Sequence, residues 1–222
     1  FSIVSYTGNA SSSQTVGHGL GAVPHMIISK NRDNTSSNYN DWIVYHHKNA
    51  TANDKKIKLN EQDQVSSTNE WGDTDPTSTV YSVHTSGDGA TNDGTDKIVS
   101  YVWTGIKGYS KFGTYQGNGN TNGTFVYTGF RPAFLMIKRT VGNTGSWVIH
   151  DNKRDPINIA KNNVDADNDS AQASLDRLDI LSNGFKSRST LGFNNEDGHT
   201  YVYMAFAESP FVNSNGVPNN AR

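Results

Sequence analysis

With 222 residues, the chain can bury one generous core or two modest ones, because domains commonly run to about 100–150 residues. Lys+Arg number 19 against Asp+Glu 21, for a net charge of -2, which lacks the basic footprint of a nucleic-acid binder. No cysteine is present, so disulfides and thiolate metal sites are excluded, and no apolar run approaches the roughly 20 residues of a membrane-spanning helix.

Hydrophobic residues make up 33% of the chain, yet 10% are aromatic and 21 residues are glycine. Short apolar runs alternate with Asn, Asp, Ser and Thr, the texture of an all-β protein with long polar loops. In chain order the predicted strands are 2–6, 25–29, 41–45, 56–59, 80–84 and 97–103. They continue with 113–115, 124–127, 133–138, 146–150, 179–182, 184–188 and 200–207.

Pro24 and Pro132 fall just before an apolar run, where a missing N–H costs least, and Gly19, Gly21 and Gly129 supply turns. Residues 170–178 have a helical leaning and read as a loop with one turn of helix. Met26 to Ile28 and Phe134 to Ile137 are continuous apolar runs and read as buried on both faces. Alternation in Trp42/Val44 and Trp147/Ile149 reads as a strand with one face inward.

The second half repeats the first. Tyr6-Thr7-Gly8-Asn9 matches Tyr115-Gln116-Gly117-Asn118, and Pro24 to Lys30 matches Pro132 to Lys138 with proline, apolar run and lysine in the same order. Trp42-Ile43-Val44 matches Trp147-Val148-Ile149, and Ile98 to Trp103 matches Tyr201 to Phe206. This pattern predicts two tandem homologous β-sandwich domains, jelly-roll-like, over 1–108 and 109–222, the second with a C-terminal tail. Trp42 and Trp147 are expected as core anchors, because a duplicated scaffold repeats its core first.

Few motifs carry chemistry. Asp165, Asp167, Asp169 and Asp176 occupy positions one, three, five and twelve of a calcium loop, but Ser170 replaces the glycine and Asp176 the usual glutamate. A solvated acidic loop is the plainer reading, so no cofactor is expected, with calcium as the alternative. The glycine-rich segment 87–96, with Asp88, Asn92, Asp93 and Asp96, reads as a hairpin end.

The histidines lack metal spacing, and no serine sits in a glycine elbow. No mechanism-bearing motif is found, so an enzyme is not expected. Aromatics that do not repeat are the better candidates for ligand contact: Tyr39, Trp71, Tyr109 and Phe193 lie in or beside polar loops. A ring there can stack on a sugar while Asn, Asp and Ser take its hydroxyls; covering a loop edge is the ordinary alternative.

The strings "YTGN", "HGLGAVPHMIISKNR", "DWIVYH", "TYQGNGNTNGTFVYTGFRPAFLMIKRT", "LSNGFK" and "YVYMAFAESPF" together resemble a family of tandem β-domains. That family stands at the C-terminal end of virion structural proteins, particularly tail-fibre-like proteins of phages infecting marine bacteria and cyanobacteria. In such proteins an upstream region precedes the module, which suits a fragment beginning at Phe1. The first copy has Tyr81-Ser82-Val83-His84 in the approximate place of "LSNGFK".

The resemblance implies a virion location and a host-recognition module that binds a cell-surface glycan. It also implies contact with other virion proteins and a homo-oligomer, trimeric by analogy with fibres, with neither nucleic acid nor membrane insertion expected. Capsid decoration or tail assembly is the alternative function. A polysaccharide depolymerase, which would need a carboxylate pair in a groove, comes third.

Overall fold

The computed structural model describes residues 1–34, 40–49, 52–85, 90–142 and 144–210, and divides into two compact units, Phe1–Thr104 and Gly105–Arg222. Among the described residues there is no α-helix; a single 3-10 turn spans Ala52–Asp54. Everything else regular is strand, and every strand pairing is antiparallel.

The first unit contains β1 (Ser2–Thr7), β2 (Gln14–Gly17), β3 (Met26–Asn31) and β4 (Trp42–His46). It continues with β5 (Lys55–Lys58), β6 (Ser66–Ser67), β7 (Val80–Val83) and β8 (Lys97–Trp103). The second contains β9 (Ser110–Gln116), β10 (Phe125–Tyr127), β11 (Pro132–Arg139) and β12 (Val148–Asp151). It ends with β13 (Ala160–Asp165), β14 (Ala173–Leu181), β15 (Gly184–Ser187) and β16 (Thr200–Ala207).

In the second unit the eight strands form one sheet in the order β10-β15-β14-β13-β12-β11-β16-β9. The sheet curls until its ends face each other. Tyr115 of β9 meets Phe185 of β15 edge to face at 5.7 Å, Thr124 donates to the Gln116 carbonyl at 2.7 Å, and Lys111 donates to the Tyr127 carbonyl at 2.6 Å. The result is a nearly closed barrel whose seam, between β9 and β10, is bridged by side chains.

The first unit follows the same order in two pieces, β1-β8-β3-β4-β5-β6 and β2-β7. Its seam is bridged likewise, with Tyr6 edge to face on Tyr81 at 6.4 Å and Gln14 donating to the Thr7 carbonyl at 3.1 Å. β7 takes the place of β15, so Tyr81 stands where Phe185 does. What is missing is the long strand: two-residue β6 stands where nine-residue β14 runs. Gly72 and Asp73 both turn left-handed and Pro76 follows, which stops the first unit's segment from extending.

The glycine-asparagine turn is held identically in both units. Asn9 and Asn92 bond reciprocally, backbone N–H to Oδ1 at 2.9 Å and Nδ2 to Oδ1 at 3.1 Å, and Asn118 and Asn195 do the same at 3.2 and 2.9 Å. Tyr6 donates to the Thr91 carbonyl, and Tyr115 to the Asn194 carbonyl. A β-carbon on Gly8 would lie 2.5 Å from the Asp93 carbonyl oxygen, and one on Gly117 2.2 Å from that of Glu196. Only glycine lets the chain pass this close.

The two cores are not alike. Ile27, Ile43, Tyr45, Trp71, Tyr81 and Val102 build the first; Leu135, Ile137, Leu178, Phe185, Tyr201 and Tyr203 lead the second. Ile43 and Tyr45 point inward, so alternation sends Trp42 to the opposite face, where it is half-buried and stacks on Tyr101. Trp147 is buried but belongs to neither core cluster; its ring lies 5.9 Å from the Lys138 ammonium. Trp42 therefore anchors no core, whereas Trp147 is fully buried outside the main cluster.

The expected helical turn over 170–178 is also corrected. Ala173–Leu181 is a strand because β13 on one side and β15 on the other supply partners, and pairing outweighs the helical propensity of Ala, Leu and Arg.

Candidate functional site

Of the expected contact residues, Trp71 lies in the first unit and Tyr109 and Phe193 in the second. Tyr39 lies outside the described residues. Trp71 is 1% exposed, wedged edge to face between Tyr45 and Tyr81, so its ring offers no face to a ligand. Tyr109 is 40% exposed and packs its edge on Phe206 at 5.8 Å. Phe193 is 38% exposed, and the buried Arg177 guanidinium lies 5.3 Å from its ring centre.

Of the four aspartates, Asp165 and Asp167 both accept from the Asn168 amide, at 3.2 and 3.1 Å. Asp165 ends β13 and Asp167 follows in the connection to β14, where its carboxylate accepts the Trp147 N–H at 3.3 Å and burial raises its pKa. Asp169 follows in the same connection, while Asp176 stands within β14, about 10 Å along the strand from Ala173. No metal-holding group of three His, Cys, Asp or Glu occurs among the described residues.

Each unit holds a buried polar slot, in the second beneath Phe193, and the two are filled differently. In the first, Lys56 and Glu70 form a fully buried ion pair at 3.4 Å, and Thr91 donates to Glu70. In the second, the same positions hold Asn163 and Arg177, joined by a hydrogen bond of 3.2 Å from Nε to Oδ1. Equivalence follows from the backbone: His84 N–H donates to the Glu70 carbonyl, and Arg188 N–H to the Arg177 carbonyl. His150 sits in the second slot where Tyr45 sits in the first; burial, reinforced by the Arg177 charge, pulls its pKa down to about 3. The slot sets a neutral histidine beside a buried cation.

A different surface gathers what a ligand needs. On β10, Val126 points into the core, so Phe125 and Tyr127 point out, 45% and 59% exposed. Lys186 on β15 is the register partner of Phe125, and the Lys111 ammonium lies 5.2 Å from the centre of the Tyr127 ring. Burial lowers the pKa of Lys111. Two outward rings two residues apart form a platform on the seam, with the Lys111 ammonium beside Tyr127 and Lys186 opposite Phe125 in register.

The matching strand of the first unit has no such platform. Both strands keep valine inside, Val16 and Val126, but Thr15 stands for Phe125 and Gly17 for Tyr127. The lysines change as well, to Ser82 for Lys186 and Ser2 for Lys111. Sequence reading missed this site, although the signal was present: aromatic-valine-aromatic in one copy against Thr-Val-Gly in the other.

Across the whole framework, one family model, described as Domain of unknown function (DUF7483), matches residues 1–210. The chain belongs to this family. The matched span takes in both units, so the family's domain is the pair rather than either barrel alone. No curated protein and no solved structure matches the chain.

Proposed function

We propose that this chain is an adhesion module of a virion, a tail-fibre-like protein that holds a host-surface glycan without cleaving it. One observation carries the reading: the outward pair Phe125 and Tyr127 on β10, which the corresponding strand of the first unit lacks. Aromatic faces bind the C–H faces of sugars, and a ring that a repeat does not need for its core is available for contact. The two units descend from one ancestral half, and each is a flattened barrel of sandwich-like, jelly-roll-like form. The reading places the module on the particle surface, in a homo-oligomer whose repeated weak sites add up to useful avidity.

The test is binding of the whole chain to host cells and a glycan array, beside the paired variant Phe125→Thr with Tyr127→Gly. Binding should fall to background in the variant, the glycan should keep its chain length, and a calcium chelator should change nothing. Retained binding in the variant would remove this surface from the reading; shortened glycan would turn it to a depolymerase.

A second reading, assembly with other virion proteins, is favoured by Phe1 and Ile3, largely exposed on and beside β1, with Phe1 5.0 Å from Trp103. Loss of particle assembly rather than of cell binding in Ile3→Ser would favour it.

A further inference from the structure

We propose that the β10 platform is built for an anionic polysaccharide, with sugar rings on Phe125 and Tyr127 and a carboxylate or sulfate group on Lys186 and Lys111. The inference rests on the adhesion reading and names the ligand class of the same surface. Lys186 faces Phe125 across one rung of the ladder, which brings their β-carbons to about 5 Å, so its stem can run beside the ring and its ammonium can project past it. No hydrogen bond or ion pair holds that ammonium among the described residues.

The carboxylate nearest to Lys186 in register is already committed. Asp179 pairs with Lys186 across the other rung, but it is buried and accepts the Arg188 Nε–H at 2.6 Å. Lys111 is held in place from below, its Nζ donating to the Tyr127 carbonyl. Three donors on an ammonium leave room for a ligand oxygen. Its lowered pKa has the sign expected of a cation that burial disfavours and that an anion would stabilise.

All four platform residues differ in kind from their counterparts in the first unit, Thr15, Gly17, Ser82 and Ser2, none of which carries a ring or a charge. Two rings and two cations have been placed, or retained, on one patch of a chain whose net charge is -2. A neutral glycan would need only the rings. The lysines select for negative charge on the sugar, whether from uronic acid carboxylates or sulfate esters.

The experiment measures binding of the whole chain to alginate, a polyuronate, to dextran sulfate and to unmodified dextran, at low and high salt. At least one anionic polymer should bind about tenfold more tightly than dextran at low salt, with the advantage shrinking as salt screens the contact. Lys186→Gln should weaken anionic binding about fivefold, while Lys153→Gln, an exposed lysine in the connection after β12, should leave it unchanged. Phe125→Ala should weaken binding to every polymer that binds.

Equal affinity for dextran and its sulfate would overturn the charge preference and leave the adhesion reading intact. So would an effect of Lys153→Gln as large as that of Lys186→Gln, since attraction would then be diffuse. If no polymer, host cell or arrayed glycan binds the chain, the adhesion reading falls, and this inference with it.

Discussion

The first and second units bend the same turn with the same asparagine pair, yet they solve the interior beside it in opposite ways. In the first, Lys56 meets Glu70 and Ser29 meets Ser100 at 2.6 Å, both pairs buried. In the second, Arg177 meets Asn163, and the serine rung is replaced by Ile137 and Tyr203. Backbone clasp and seam are held constant, while side-chain chemistry inside the barrel and on its outer face varies. The repeat keeps what turns the chain and varies what fills and covers each unit.

The largest expected effect tests which tryptophan is structural. Trp71→Ala should cost about 4 kcal/mol and Trp42→Ala about 1 kcal/mol in urea unfolding, because of these two Trp71 alone is buried in a core. The matching core position of the second unit is Leu178, where alanine should cost about 3 kcal/mol. A cost for Trp42 equal to that for Trp71 would break the assignment.

Next comes the buried slot. Glu70→Gln removes the carboxylate facing the buried Lys56 ammonium and should cost about 3 kcal/mol. Importing the other unit's solution, Lys56→Asn with Glu70→Arg, should recover at least half of that in the same unfolding measurement. No recovery would mean the two slots are not interchangeable.

Acid provides a third contrast. Burial and the Arg177 charge push the His150 pKa from an ordinary 6.5 down to about 3, so across that window the unfolded chain binds more protons and folding stability rises with pH. Lowering the pH below about 6.5 should therefore weaken the second unit, with a slope approaching 1.4 kcal/mol per pH unit. Amide hydrogen exchange at about pH 5 should accelerate there more than in the first unit, where Tyr45 fills the position. His150→Gln should remove the excess.

The smallest effect concerns the platform. Phe125→Thr with Tyr127→Gly, which rewrites β10 in the manner of β2, should shift stability by no more than about 0.5 kcal/mol while removing ligand binding. A large loss of stability would make those rings structural.

Much of this was legible in the sequence because repetition is insensitive to local ambiguity. Tyr-x-Gly-Asn, the proline before an apolar run and the lysine after it located the turn and the central strands in both halves. Alternation could not say which side of β4 faces the core, since Ile43, Val44 and Tyr45 are all buried. Trp71 was read as a loop residue because Asn, Glu, Gly and Asp surround it; its burial follows from distant contacts with Tyr45 and Tyr81. The platform was hidden because a three-residue strand gives no periodicity to read, and its lysines arrive from β9 and β15.

Each unit begins and ends on neighbouring strands, with Ser2 opposite Val102 and Ser110 opposite Phe206. A tether pulling on either unit would load its ladder at one end and open it like a zipper, rung after rung, rather than shear all rungs together.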